Sequence, residues 1–104
     1  MNCTIRRYES IDQSRKSELI KKLDENLLAT LSELPGFNGY SVIDAGDGVM
    51  TSVSFFDTRA QADESTRIAA SWLREQKLDA VLSTQPKITS GDVVVHKTRE
   101  LVQA

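Results

Sequence analysis

Two adjacent arginines near the N-terminus, Arg6 and Arg7, are the first residues in this sequence whose types and spacing suggest chemistry. Neighbours in a strand point to opposite faces, so one of the two must look inward or sit near a strand end. An inward guanidinium needs an anion, a carboxylate partner or bound water. Arg7 is assigned that role, orienting an enolate or phenolate with Tyr8 or Tyr40 helping. His96 is the one histidine and the candidate general base, because imidazole titrates near neutrality. Its other reading is a wall or edge position on the last strand. Trp72, Phe37, Phe55 and Tyr40 offer flat apolar surface and, with an arginine, would line a pocket for a small aromatic ligand. For Trp72 the alternative is plain packing against a sheet; for Phe37 it is an apolar plug where the chain leaves a helix.

Other chemistries lack their residues. One cysteine, Cys3, cannot form an internal disulfide, and no histidine or helix start beside it would lower its pKa. A single histidine supports neither a metal site nor a Ser-His-Asp triad. Gly46-Asp47-Gly48 lacks the Lys-Ser/Thr of a phosphate loop. No metal and no cofactor are expected. Net charge is −2 over 104 residues, which gives no electrostatic reason to expect nucleic acid or an anionic membrane as partner. No apolar run approaches the roughly 20 residues that cross a bilayer, and the N-terminus has no signal-peptide core. A cytoplasmic location is expected.

The elements that must position these residues read as follows. Residues 3–9, CTIRRYE, form a short strand. Ser10 and Gln13 offer a capping-box spacing ahead of a helix whose apolar stripe is Ile20, Leu23, Leu27, Leu31 and Leu34, widened by Leu19 and Leu28. Pro35 ends this helix and Gly36 lets the chain reverse. Strands at 40–45 and 49–57 flank the glycine-rich turn. In the second of them Val49, Thr51, Val53 and Phe55 share one face, expected to lie against the helices; Met50, Ser52, Ser54 and Phe56 share the other. Thr58 and Gln61 form a second capping box, opening a helix over about 58–77 with Ser65, Ile68, Ala69, Trp72 and Leu73 inward. Leu78, Val81 and Leu82 suggest a short turn, and VVVHK (93–97) the last strand.

Strand–helix–strand–strand–helix–strand is the ferredoxin-like βαββαβ order, an α+β fold in one domain, 1–104. Right-handed crossovers put both helices on one face of a four-stranded antiparallel sheet, with the first and third strands central. The other face is then uncovered, so a homodimer pairing sheet against sheet is expected.

With these elements in place the sequence resembles the dimeric α/β-barrel superfamily, in particular antibiotic-biosynthesis-monooxygenase-like domains. The resemblance is carried by LPGFNGYSV (34–42), SVSFFDTRAQADESTRIAASWLRE (52–75) and SGDVVVHK (90–97). It implies a dimeric α/β barrel and a cofactor-independent monooxygenase acting on a small aromatic or quinol-like compound. The alternative is a non-catalytic homodimeric small-molecule-binding or stress-associated domain. Haem-degrading members of the group carry an Asn on the first strand, a Trp on the second helix and a later His. Trp72 matches the Trp, but CTIRRYE has no Asn, Asn2 lying just before it, and 78–82 has no His, so haem degradation is not expected.

Overall fold

Strand β1 (Asn2–Tyr8) opens a computed structural model that describes residues 1–82 and 85–99. The chain continues through a 3-10 turn (Gln13–Arg15), a helical run over 16–32, β2 (Phe37–Gly46), β3 (Val49–Phe56), a second helix (Arg59–Glu75) and β4 (Lys87–Asp92). The sheet is antiparallel in the order β2-β3-β1-β4, so β1 and β3 are central and the second and fourth strands form the edges. This is the expected ferredoxin-like topology. Among the described residues no helix is long and apolar enough to cross a membrane.

Local signals explain most boundaries. Asp47 (φ 52°) and Gly48 (φ 78°) make a two-residue turn with both central residues in the left-handed region, the geometry that matches the twist of a hairpin. At the end of the first helix the Phe37 N–H donates to the Leu34 carbonyl at 3.2 Å. Gly36 has φ 77°, and a Cβ there would land on the Gln61 side chain. Gln61 is also half of the capping box with Thr58, which forms as expected. The first helix, by contrast, is entered from Asp12, whose carboxylate accepts from the Ser14 N–H at 3.0 Å. Ser10 does not cap, because it sits at φ 55° in the preceding turn.

The first helix contains a wider π-turn, Leu23–Leu27, between Lys16–Lys22 and Leu28–Ser32. Its geometry serves the leucines. Steps of four residues overshoot a 3.6-residue turn by about 40° each, so Leu19, Leu23, Leu27 and Leu31 would spiral off one face of a regular helix. One wide turn takes back part of that drift, and all four line the same interior space. Leu19, rather than the half-exposed Ile20, heads the buried stripe.

Two further expectations are corrected. The face of β3 that meets the helices is Met50, Ser52, Ser54 and Phe56, all buried, not Val49, Thr51, Val53 and Phe55. Strand parity cannot decide this from hydrophobicity, because both faces carry apolar side chains. The open face displays Val49, Val53 and Phe55 with Ile5 and Ile43, and Ile43 is exposed. The last strand is KITSGD, not VVVHK. Its register sets Asp92 opposite Asn2, so residues 93–97 run past the end of β1. Val94 and Val95 there are 90% and 89% exposed. Inside, Ile11, Leu19, Met50, Leu78 and Val81 form the tight core, with Trp72 and Leu73 packed on its margin.

Candidate functional site

Between the helices and the sheet lies a cavity of about 240 Å³. Its roof is leucine: Leu19, Leu23, Leu27 and Leu31 from the first helix. The second helix contributes small side chains, Ser65, Thr66, Ala69 and Ala70, and their size leaves the space open. The sheet supplies the polar groups, Arg6 and Tyr8 from β1, Tyr40 from β2, and Ser52 and Ser54 from β3, set among Val42, Met50 and Ile88. The interior is therefore largely apolar with its polar groups gathered on the sheet side, a setting that holds an apolar ligand by one polar edge.

Arg6 is the central feature. Alternation along β1 points Asn2, Thr4 and Arg6 toward the helices, and Arg6 is only 8% exposed. Its Nη2 donates to the Thr66 hydroxyl, which in turn donates to the Ala62 carbonyl at 3.0 Å. Among the described residues no carboxylate forms an ion pair with Arg6, and none lines the cavity. A buried guanidinium without a counter-charge is costly unless something anionic arrives.

Tyr8 and Tyr40 face the same space. Burial pushes both phenols above their ordinary 10.0, and the proximity of Tyr8 adds to the rise at Tyr40. The Arg6 charge pulls both back in part, and the Ser52 hydroxyl does the same for Tyr40. Both phenols are thus protonated donors near neutrality. Ser65 satisfies its own hydroxyl on the Ala62 carbonyl at 2.6 Å.

The cavity opens at two ends. One groove runs between the first helix and the edge strand β2, bounded by Ile20, Lys21, Asp24 and Asp44. Asp44 is held by Lys16 at 3.0 Å; a hydrogen bond from the Gly46 N–H and the Lys16 contact keep its carboxyl below the usual range. The other end emerges under Pro86, beside Arg74 and Asp79.

Of the six residues expected to form the site, the structure brings Tyr40 to this cavity. Arg7 points to the opposite sheet face and lies 3.4 Å from Glu9, because β1 parity gives the inward position to Arg6. Phe55 is on that open face too, and its ring meets His96 at 6.0 Å between centroids. His96 lies beyond β4, exposed and outside the cavity, since the last strand ends earlier than expected. Phe37 makes an edge-on contact with Phe56 at 5.8 Å and is not among the residues that line the cavity. Trp72 packs on the core margin and borders a shallow hollow between the helices with Thr30 and Arg67. Sequence reasoning named the Arg6–Arg7 pair but gave the inward role to Arg7, and it gave no site role to Ser52 or Thr66. Strand parity, once Phe56 is fixed as inward, finds Arg6 and Ser52; Thr66 follows from its position one residue after the inward Ser65. Burial raises the Cys3 thiol pKa, which agrees with an inert role. Among the described residues no group of three or more His, Cys, Asp or Glu side chains is placed to hold a metal ion.

No protein-family model and no curated protein sequence matches the chain. Solved structures do match its fold. A Nitrosomonas europaea protein of unknown function, NE2512, superposes with a TM-score of 0.75 at 17% identity, over 95% of this chain and 94% of its own. A monooxygenase from the gene ActVA-Orf6 of Streptomyces coelicolor, in complex with nanaomycin D, gives 0.71 at 13% identity, over 95% and 92%. A dimeric ferredoxin-like protein from an uncultured marine organism gives 0.70 at 16% identity, over 95% and 92%. At these identities the likeness is one of fold: the chain has the α+β ferredoxin-like architecture found in antibiotic-biosynthesis-monooxygenase-like and dimeric ferredoxin-like proteins.

Proposed function

We propose that this chain is a homodimeric, cytoplasmic protein of the monooxygenase-like α/β-barrel type, whose helix–sheet cavity binds a small aromatic or quinol-like compound. The observation that carries this reading is the largely apolar cavity with Arg6, Tyr8 and Tyr40 converging on one wall. In the oxygenase form of the reading, the ligand sits as an enolate or phenolate against Arg6. The two phenols donate to its oxygens, and the leucine roof excludes water. The ligand itself supplies the electrons to dioxygen: a ring CH2 becomes C=O while the second oxygen atom leaves as water, which balances without an added reductant. The Streptomyces monooxygenase, in complex with nanaomycin D, supports a small-molecule ligand on this fold.

A second reading, non-catalytic binding, is favoured by one specific observation. Among the described residues the cavity wall holds no carboxylate and no imidazole, so no conventional general base faces the ligand. For the dimer, the support is the apolar open face of the sheet and the dimeric ferredoxin-like neighbour. Oxygen uptake with a panel of aromatic compounds that includes acidic phenols and enols, in parallel with native mass spectrometry, tests all three points. The oxygenase reading expects substrate-dependent uptake and a dimer. Binding without uptake leaves the non-catalytic reading, and a monomer without binding removes both.

A further inference from the structure

Among the described residues, the polar side chains on the cavity wall include no carboxylate and no imidazole to take a proton. Arg6 can only donate. Tyr8 and Tyr40 stand beside that cation in the same cavity, and Thr66 donates its proton to the Ala62 carbonyl while accepting from Arg6. Among the described residues no element around the cavity brings a base to it. β3 contributes Met50, Ser52 and Ser54, β4 contributes Ile88, and the two helices contribute leucines and small side chains. Charged groups occur at the two openings: Lys21, Asp24 and Asp44 at one, Arg74 and Asp79 at the other. Asp44, the carboxylate on β2, is engaged with Lys16 and with the Gly46 N–H, which suits an anchor and not a base.

We infer that the cavity takes a ligand that is already ionised in neutral water, an acidic phenol, enol or carboxylic acid on a flat apolar body, and not a neutral compound that the protein must deprotonate. The inference rests on the reading of the cavity as a ligand site and narrows its ligand class. A ligand that brings its own negative charge pairs the buried Arg6 guanidinium and accepts from both phenols. A neutral alcohol or ketone would leave that cation unpaired in an apolar setting. The same logic makes any chemistry in the cavity depend on the acidity of the ligand, with the protein stabilising an anion formed elsewhere.

The test uses 4-nitrophenol, whose phenol and phenolate forms differ in visible absorbance, and its neutral analogue 4-nitroanisole. Titrated against wild-type protein, bound nitrophenol is expected to have its pKa lowered by about one unit or more, and nitroanisole to bind about tenfold more weakly or worse. Arg6→Met should abolish both effects, and Arg6→Lys, which keeps the cation should Arg6→Met fail to fold, should retain part of the shift. Equal binding of both probes with no lowering of the nitrophenol pKa would overturn the inference and leave the cavity reading standing. Binding of neither would overturn the cavity reading, and this inference with it.

Discussion

Arg6 on β1 and Thr66 on the second helix are hydrogen-bonded across the space between sheet and helices, and no described carboxylate neutralises the arginine. The contact orients a buried cation toward Tyr8 and Tyr40 and ties the polar groups of the sheet side to the second helix. Thr66 is a positioning residue here. Thr66→Val should weaken nitrophenolate binding about fivefold, the worth of about 1 kcal/mol, while leaving nitroanisole binding unchanged. Equal loss for both probes would mean that the substitution only distorts the cavity.

Arg6 should be costly to the fold. Replacing a buried, unpaired charge with an apolar side chain of similar length commonly stabilises a protein. Arg6→Met is therefore expected to raise the melting temperature, by about 1 kcal/mol or more of stability, while losing the preference for anions. Thermal denaturation followed by circular dichroism reads this directly. A lowered melting temperature would show that Arg6 is structural.

How much of this was legible in the sequence depends on how local each signal is. The Thr58–Gln61 capping box, the Pro35-Gly36 stop and the Asp47-Gly48 turn involve neighbours in the chain, and each forms where the residues place it. Parity was not legible. Val53 and Phe55 on one side of β3 and Met50 and Phe56 on the other are equally apolar, so the strand does not declare which side meets the helices. The choice between Arg6 and Arg7 inherits the same ambiguity, because β1 pairs residue for residue with β3 and places Arg6 opposite Ser52. The cavity was hidden for another reason. It exists because Ser65, Ala69 and Ala70 are small where they face four leucines, and small residues on a helix carry no mark of what they leave empty.

Filling that space is a separate test. Ala69→Leu extends an isobutyl group into the cavity and should abolish probe binding while the protein remains folded. The melting temperature should fall by no more than the effect of about 1–3 kcal/mol of overpacking. Retained binding would place the ligand elsewhere.

Gly36→Ala should destabilise the fold by about 1–3 kcal/mol, because the residue sits at φ 77° and its new Cβ would meet Gln61. Chemical denaturation measures it. Measured against Gln61→Ala alone, which removes the obstructing side chain and its share of the capping box, the Gly36→Ala penalty should shrink without vanishing, since the backbone conformation remains unfavourable for alanine.

The phenols give the protein an alkaline limit. Tyr8 and Tyr40 have folded-state pKa values above their ordinary 10.0, first of all through burial. The native state then holds these protons when the unfolded chain releases them, so this contribution to stability is intact below about pH 10 and is lost as pH rises beyond it. Melting temperature should decline through that range in the wild type and less steeply in Tyr8→Phe/Tyr40→Phe. Identical slopes would mean that the phenols ionise freely.

The most direct test of the central claim, that the space between helices and sheet is the ligand site, is a two-dimensional amide NMR titration of the folded protein with 4-nitrophenol. Shifts are expected to concentrate on Arg6, Tyr8, Tyr40, Ser52, Thr66 and Ala69, the residues that surround the cavity. Shifts confined to the opposite sheet face around Ile5, Phe55 and His96, or no shifts at all, would contradict it.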